Sequence, residues 1–483
     1  MGKTAAKSAS RAATGRASGR TPDRSSAGKP NAQMTYIQSL NYLDDRIDVE
    51  KARPTRVPAD AFRLDRMRAL LSALGDPQRD VKFVHVAGSK GKGSVCEMTA
   101  SVMSACGYTV GLYTSPHLMD IRERIRLGGV PIAQQAFARI MTRCRDAADA
   151  IESRHGQPTY FELLTALAFA YFADRAVDLA VLEVGLGGRL DSTNVIDPEV
   201  CAIAGIQLEH TQILGDTLEQ VAREKAGIMK PGITCVTFKQ DEAVMAVFRE
   251  VADEVGATLS VLGEDIDYSC RFEAAHQMGP HARVCVTTAR SAYEHLPVPL
   301  PGEHQALNCG LALALADKLK DRGFEAPERD VSAGLAATPA NGRMELALES
   351  PRVYLDGAHT PESVGGLMRA IGAHVRYDSM VVVFGCAADK HVDGMLAELA
   401  RGADKIVFTK SENNPRAMDP AELQRRFAEI SPKMAQTEAS VKEAINTAAR
   451  AIGREDLICV TGSFWVAGEA KKLIVDRQKK QKA

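Results

Sequence analysis

The sequence has few aromatic residues, no excess of either charge, no regularly spaced cysteine pairs and no long apolar segment. Its 60 basic and 61 acidic residues are interspersed, so the charge balance points to neither a nucleic acid nor a membrane as partner. The ten cysteines include no CxxC pair, which favours reduced structural thiols over a disulfide framework. The longest apolar run, 163–173, is about half a membrane-spanning helix. We therefore expect a soluble cytoplasmic protein that binds small molecules.

The first 33 residues differ in composition from the rest of the chain. They contain seven basic residues against Asp23 alone, and no Leu, Ile, Val or aromatic residue. Such a segment has no apolar surface to bury, so we predict a disordered basic tail over 1–33. The alternative is an organelle transit peptide, which requires an apolar face that this segment lacks.

Residues 81–94, VKFVHVAGSKGKGS, pass from an apolar strand-like run into a glycine-rich loop that precedes a helical pattern. Glycines let backbone amides approach an anion, a helix N-terminus attracts it, and a lysine adds a mobile charge. The pattern departs from the usual phosphate loop, because Val86 replaces its first glycine and Gly93 separates the lysine from the hydroxyl. It predicts a nucleotide-phosphate site formed by Gly88, Gly91, Lys92, Gly93 and Ser94, with Ser94 placed to bind Mg²⁺. The alternative is an ordinary glycine-rich turn with a solvated lysine.

From residue 34 onward, apolar runs of strand length alternate with helical patterns. This alternation predicts an α/β fold in which a parallel sheet carries helices on both faces and binds ligands at the carboxyl ends of its strands. The pattern weakens over 240–300 into the short runs TLSVLG, RFEAAH and ARVCVTT, for which we predict a small antiparallel excursion. A Pro/Gly-bearing hinge at 337–343 precedes a second βα series. We therefore predict a P-loop-containing ATPase domain over 34–338 and a smaller Rossmann-like α/β domain over 339–483.

Three charged or titratable residues stand near predicted strand or helix ends. Glu183 ends an apolar strand and requires a partner, which is either Mg²⁺ near the phosphates or a structural salt bridge. His210 follows the next strand, where an ordinary loop histidine is the alternative to a ligand. Lys225 lies near the end of a helix stopped by Gly227, where the helix dipole alone favours a lysine. None of the three identifies a function by itself.

Eight motifs extend this pattern along most of the chain, in the order GSKGKGS, TSPHL, LEVGLGGRLDSTN, EHTQILG, REKAGI, PGEHQALN, DGAHTP and TGSFW. In this order and spacing they resemble the folylpolyglutamate synthase and dihydrofolate synthase branch of the Mur ligase family, from about Ile37 to Glu469. The resemblance implies a Mur ligase-like central domain and C-terminal domain. It also implies a monomer that uses ATP, two Mg²⁺ ions and a carbamylated lysine, with K⁺ as a further candidate cofactor.

The resemblance assigns roles to individual positions. Lys92 would contact the β- and γ-phosphates, Ser94 and Glu183 would hold the first Mg²⁺, and His210 would hold the second with carbamylated Lys225. The remaining implied ATP-site residues are Asn308, Arg343, Asp356 and His359. The residues implied at the folate site are Ser115, Pro116, His117, Phe161, Glu162, Arg189 and Asp191, although helix packing explains Phe161 equally well. Carbamylation requires a lysine whose amine can be neutral, which desolvation or nearby cations favour.

Three positions depart from the family pattern. Lys90 replaces the usual Asn of the phosphate loop, Glu209 replaces the Asp before the histidine, and Thr360 replaces the Asn of DGAHNP. We expect none of the three to abolish activity, and Lys90 to have the largest effect, because it adds a cation beside the phosphates.

The resemblance implies an ATP-dependent amide ligase. It would add L-glutamate to dihydropteroate, to folate polyglutamates or to both, through an acyl phosphate, with Lys92, Lys225 and His210 as catalytic residues. One alternative is a Mur-type ligase for another carboxylate, against which GLGGRLD and SPHL argue. The other is a nucleotide-binding protein without catalysis.

Overall fold

The computed structural model describes residues 32–48, 62–275 and 279–482. The disordered tail predicted at 1–33 lies outside the described residues except for its last two positions. Among the described helices, none is both long enough and apolar enough to cross a bilayer.

The N-terminal half is built on an eight-stranded sheet with the strand order β4-β3-β2-β5-β1-β6-β7-β8. Its strands are β1 Phe83–Ala87, β2 Val110–Tyr113, β3 Ile125–Leu127, β4 Val130–Pro131, β5 Leu179–Glu183, β6 Val200–Ile203, β7 Thr234–Phe238 and β8 Thr258–Leu262. Six of them run parallel, and β3 and β4 are antiparallel at one edge. Every residue of β1, β2, β5 and β6 is buried, as expected of a parallel sheet that is covered on both faces. The predicted parallel sheet is therefore confirmed.

Ten helices of the described N-terminal half cover this sheet. They are α1 Tyr36–Asp44, α2 Leu64–Ala73, α3 Lys92–Ala105, α4 Gln134–His155, α5 Tyr160–Asp174, α6 Thr211–Leu214, α7 Leu218–Ala226, α8 Glu242–Val255, α9 Glu303–Lys320 and α10 Glu328–Ala336. Strand β1 shows how the two faces divide. Phe83 packs with α4 and α5, whereas Val84 and Val86 pack with α3 and α9, because successive side chains of a strand point to opposite faces.

The antiparallel excursion is confirmed in part. The strands β9 Asp267–Ala275, β10 Gly279–Thr287 and β11 Ala292–Pro297 form a separate three-stranded antiparallel sheet. The run TLSVLG, however, forms β8, which pairs in parallel with β7 from Thr234 opposite Thr258 onward. That part of the prediction is wrong because α8 ends at Gly256 and delivers the next strand to the main sheet as one more βα unit.

The C-terminal half has a six-stranded sheet with the order β12-β13-β17-β14-β15-β16. Its strands are β12 Glu345–Glu349, β13 Arg352–Leu355, β14 Met380–Phe384, β15 Lys405–Phe408, β16 Ala435–Thr437 and β17 Leu457–Thr461. Its helices are α11 Pro361–His374, α12 Val392–Gly402, α13 Pro420–Ile430, α14 Val441–Arg450 and α15 Phe464–Lys482. Only β12 is antiparallel to its neighbour. The boundary at 338/339 falls between α10 and β12 and stays a prediction.

Candidate active site

The glycine-rich loop joins the end of β1 to the start of α3. Gly88 and Gly91 have φ angles of 144° and 91°, a region that favours glycine. At Gly91 a Cβ would also lie 2.3 Å from Oδ1 of Asn308, so α9 packs directly against the loop. The loop backbone is anchored on the far side, where the amides of Ser89 and Lys90 donate to the carbonyl of Gly205. The N-terminus of α3 is thereby held rigidly at the carboxyl end of the sheet.

Lys92 is the first residue of α3 and is half-buried. Its ammonium donates a hydrogen bond to the carbonyl of Gly88, with 2.8 Å between Nζ and O. The lysine therefore curls back over the loop, where its charge adds to the positive end of the helix dipole. This arrangement suits an anion such as a phosphate.

Glu183 is buried at the end of β5, and its carboxylate lies against Gly93 of the loop. Burial raises the pKa of Glu183, while Lys92 and the amide of Ser115, which donates to Oε2 over 3.0 Å, lower it. Ser94, also buried, follows Gly93 directly in the chain. A carboxylate and a hydroxyl are oxygen ligands of the kind that Mg²⁺ prefers, so this pair fits a Mg²⁺ ion beside bound phosphates.

Lys225 is almost completely buried, with 1% of its surface exposed. Its Nζ donates to the Gly88 carbonyl over 2.9 Å and to Oε1 of Glu209 over 2.8 Å. Burial lowers the pKa of Lys225 to about 8, against the opposing effect of Glu209. Burial alone would raise the pKa of Glu209, but Lys225, Lys92 and Lys90 lower it to about 2. Burial thus favours the neutral amine that carbamylation requires.

His210 stands at the N-terminus of α6 in a left-handed conformation with φ 47° and is exposed. It lines the same cavity as the phosphate loop and the Glu209 side chain. No group of three or more His, Cys, Asp or Glu side chains in the described ranges is arranged to hold a metal ion. A second metal site at His210 therefore needs a ligand of another kind.

These elements enclose a cavity of about 310 Å³ with three distinct walls. The phosphate loop, Glu183, Glu209 and His210 form the first wall. The second contains three aromatic rings, Phe62, Tyr160 and Phe161, and polar side chains that include Asp191. The third comes from the C-terminal half and is contributed by Arg343, His359, Lys390, Asn414, Arg416 and Trp465. An anion site, an aromatic site and a cationic wall thus open into one space.

Comparison with known proteins agrees with this arrangement. The Mur ligase middle domain matches residues 86–316, and the glutamate ligase domain of Mur ligases matches residues 342–464. The dihydrofolate synthase/folylpolyglutamate synthase of Bacillus subtilis is 34% identical over 85% of this chain and 94% of its own length. This chain belongs to the folylpolyglutamate synthase and dihydrofolate synthase family of Mur ligases.

Two solved structures of the family match almost the whole chain. Mycobacterium tuberculosis folylpolyglutamate synthase complexed with ADP and AMPPCP has a TM-score of 0.80 at 32% identity, and covers 91% of this chain and 98% of its own. FolC of Escherichia coli in complex with DHPP and ADP also has a TM-score of 0.80, at 29% identity, covering 93% and 100%. The two-domain α/β architecture expected from the motifs is therefore confirmed.

The structure brings most of the family-implied residues together. Those that line the cavity are Gly91, Lys92, Gly93, Ser115, Pro116, Phe161, Glu183, Asp191, His210, Arg343 and His359. Ser94 and His117 instead line an adjoining cavity of about 250 Å³ that shares Gly93 and Glu183 with the first. Gly88 and Lys225 lie directly behind the loop. Asn308 packs on Gly91, and the Asp356 carboxylate accepts hydrogen bonds from the amides of Met344 and Ala358.

Two family-implied folate residues do not line either cavity. Arg189 is exposed and pairs with Glu224 over 2.8 Å. Glu162 is buried, pairs with Arg66 over 2.8 Å, and accepts a hydrogen bond from the amide of Thr159 at the start of α5. Their contacts support the fold around the site, and a folate contact by either side chain stays a prediction.

The Arg66 and Glu162 pair gives a stability prediction. We expect Arg66→Ala to lower the free energy of unfolding by about 3–5 kcal/mol, because it leaves the buried Glu162 carboxylate without its cation. Arg63→Ala, which breaks an exposed pair with Asp65, should cost less than about 1 kcal/mol. Urea denaturation of the two variants measures the difference. Equal losses of unfolding free energy in the two variants would contradict the assignment of Arg66 and Glu162 as a buried ion pair.

The three departures from the family pattern have structural partners. Lys90 Nζ lies 3.4 Å from Nε2 of His359, whose Nδ1 lies 2.8 Å from the Gly357 carbonyl. That carbonyl can only accept, so Nδ1 carries the proton and Nε2 accepts from Lys90. Glu209 reaches Lys225 as described above, and the Thr360 side chain caps α11 by accepting from the amide of Ser363. Lys90 thus links the phosphate loop to the C-terminal half.

Two cationic residues of the C-terminal wall, Lys390 and Arg416, were not predicted from the sequence. Lys390 and Arg416 both line the cavity, and Arg416 pairs with Asp389 over 3.0 Å. Lys390 could have been predicted, because it lies in the loop that follows the buried strand β14. The rule that placed ligands beyond strand ends in the first sheet applies equally to the second.

Proposed function

We propose that this chain adds L-glutamate to a pterin-linked carboxylate, either dihydropteroate or a folate polyglutamate, at the expense of ATP. The observation that carries the proposal is that a phosphate loop, a buried carboxylate and an aromatic wall open into one cavity. The substrate names come from the relatives, which are dihydrofolate and folylpolyglutamate synthases. A flat pterin ring would stack against the wall formed by Phe62, Tyr160 and Phe161, and the carboxylate at the other end of the substrate would point towards Lys92.

The reaction has two steps. A carboxylate oxygen of the folate substrate attacks the γ-phosphorus of ATP, the bond from that phosphorus to the bridging oxygen breaks, and ADP leaves. The neutral amine of L-glutamate then attacks the acyl carbon, the amide bond forms, inorganic phosphate departs and one proton is released. The amides of the phosphate loop and the Lys92 ammonium stabilise the charge on the transferring phosphoryl group. Mg²⁺ held by Ser94 and Glu183 would neutralise further phosphoryl charge.

We also propose that Lys225 is carbamylated in the active protein. Three features support this: the lysine is buried, burial lowers the pKa of its amine, and it lies beside a cavity that His210 lines. Addition of CO₂ to the neutral amine, with loss of a proton, would turn Nζ into a carboxylate-bearing group. The Glu209 carboxylate would then lose its ion pair, and both carboxylates would favour a second cation.

The remaining finer expectations concern cofactors, assembly and organisation. We infer K⁺ as a further cofactor and a monomeric state from the family resemblance, a cytoplasmic location from the composition, and a domain boundary at 338/339 from the Pro/Gly-bearing hinge at 337–343. Lys390 has no ion pair within the described part of the chain, and it faces the phosphate loop across the cavity. It is therefore suited to bind a carboxylate of the incoming amino acid.

The decisive experiment measures ADP release by the purified protein with L-glutamate and either dihydropteroate or tetrahydrofolate, with mass detection of products. We expect at least one pterin to gain a glutamyl unit. A gain on dihydropteroate alone identifies a dihydrofolate synthase, a gain on tetrahydrofolate alone a folylpolyglutamate synthase, and gains on both a bifunctional enzyme. If neither pterin supports ADP release, the folate assignment is wrong, and the same assay with other carboxylates tests the remaining Mur-type reaction.

A further inference from the structure

The C-terminal helix α15 approaches the loop 115–119 of the N-terminal half most tightly at Gly468. A Cβ built on Gly468 would lie 2.0 Å from the carbonyl oxygen of Leu118 and 2.8 Å from its carbonyl carbon. Both atoms belong to the backbone, so they cannot rotate away as a side chain could. No residue other than glycine therefore fits position 468 while the helix rests on this loop.

The Leu118 side chain strengthens the same contact. It is half-buried and packs against the apolar cluster of the C-terminal half that includes Val466, Ala467 and Ala470 of α15. It also lies against the hinge, where a Cβ on Gly342 would be 3.1 Å from the leucine methyl groups. Leu118 is thus a residue of the N-terminal half that is partly buried in the core of the C-terminal half.

The loop that carries Leu118 also reaches the candidate Mg²⁺ ligand. Its first residue, Ser115, donates its amide to Oε2 of Glu183 over 3.0 Å. Its other end is tied by Glu123, whose Oε2 accepts from the amide of Leu118 over 2.9 Å and whose Oε1 accepts from the amide of Asp120 over 3.1 Å. These hydrogen bonds anchor both ends of the loop, and Leu118 lies only three residues along the backbone from the amide that orients Glu183.

We propose that Gly468 is a positioning residue for catalysis, and that the docking of α15 on Leu118 sets the loop that orients Glu183. The contact exists only when the C-terminal half lies where it also presents Arg343, His359 and Lys390 to the cavity. It therefore couples the placement of the C-terminal cavity wall to the geometry of the wall that contains Glu183 and the phosphate loop. This inference rests on the proposed ligase function.

The test is Gly468→Ala, with Gly366→Ala and Gly372→Ala as matched controls. Both control glycines lie in helix α11 of the same half, and a Cβ on either would meet nothing within 4 Å. Alanine is a better helix former than glycine, so neither control variant should have a lower melting temperature than the wild type. We expect kcat of Gly468→Ala to fall about a hundredfold, because small displacements of catalytic groups have effects of this size. Its KM for the folate substrate should be unchanged, and both controls should keep wild-type kcat.

Wild-type kcat in Gly468→Ala would overturn the proposal. If Gly468→Ala melts at a lower temperature as well as losing activity, the pair Leu118→Ala and Leu118→Met decides. Measured well below the melting temperature of each variant, truncation to alanine should lower kcat and methionine should restore it, and full activity of Leu118→Ala would overturn the proposal. A wild-type protein that forms no glutamylated product contradicts the proposed function instead, so the two failures are distinguishable.

Discussion

Replacing Lys92 with alanine should reduce the rate of glutamyl-product formation at saturating substrates by about a thousandfold, the upper range for loss of one charge-stabilising donor. The Lys92 ammonium lies over the phosphate loop, 2.8 Å from the Gly88 carbonyl. There it faces the region in which negative charge develops as the phosphoryl group moves. The loss should appear in kcat measured by product mass detection, because the interaction strengthens in the transition state.

The fold should survive this substitution. Lys92 is half-buried rather than part of the core, and its hydrogen bond is to a loop carbonyl. Lys433 provides a matched control, since its ammonium also donates to a backbone carbonyl, that of Ala403 over 2.7 Å, but it lines neither cavity. We expect Lys433→Ala to keep wild-type turnover. A Lys92→Ala protein with wild-type turnover would remove the phosphate-site assignment.

Lys225→Ala should be inactive, and short-chain carboxylates should restore part of its activity. The alanine leaves space beside Glu209 and Gly88 in which a small carboxylate can take the position of the carbamate. Glu209 alone does not replace it, because its carboxylate is drawn to the surrounding lysines. The measurement is turnover as a function of added acetate or propionate.

Lys225→Arg is the control that separates the charge from the carbamate. Arginine keeps a cation next to Glu209 but does not react with CO₂, so this variant should also be inactive. The modification itself has an independent readout. In ¹³C-enriched bicarbonate, the wild type should show a carbamate signal by nuclear magnetic resonance that both variants lack. An active Lys225→Arg protein without that signal would contradict the carbamate proposal.

Much of the site could be predicted because its signals are local. The glycines of the loop, the strand that precedes them and the helix that follows are contiguous in sequence, and strand ends of a parallel sheet necessarily meet at one edge. The end of α7 before Gly227 could be predicted in the same way, since glycine commonly follows the last turn of a helix. These features required no knowledge of distant contacts.

The rest depended on contacts between distant segments. Arg66, the partner of Glu162, is 96 residues away in α2, so the sequence alone could not show the buried ion pair that this candidate folate residue forms. The pairing of Lys225 with Glu209 and of Lys90 with His359 likewise joins separate elements. Strand β8 was misplaced because a short apolar run does not reveal which sheet it joins. Only the folded chain supplies these neighbours.

The charges around the cavity have a consequence for the order in which ligands arrive. Lys90, Lys92, Arg343 and Lys390 face a space in which Glu183 and Glu209 are the nearest acidic partners of the loop. Like charges on the two halves repel one another across the cavity, and a bound polyanion offsets this repulsion. A triphosphate would therefore strengthen the contact between the halves, and its capture would be accelerated by long-range attraction that weakens as ionic strength rises. This arrangement of charges favours an order of binding in which the nucleotide binds first and the acceptor amine binds last.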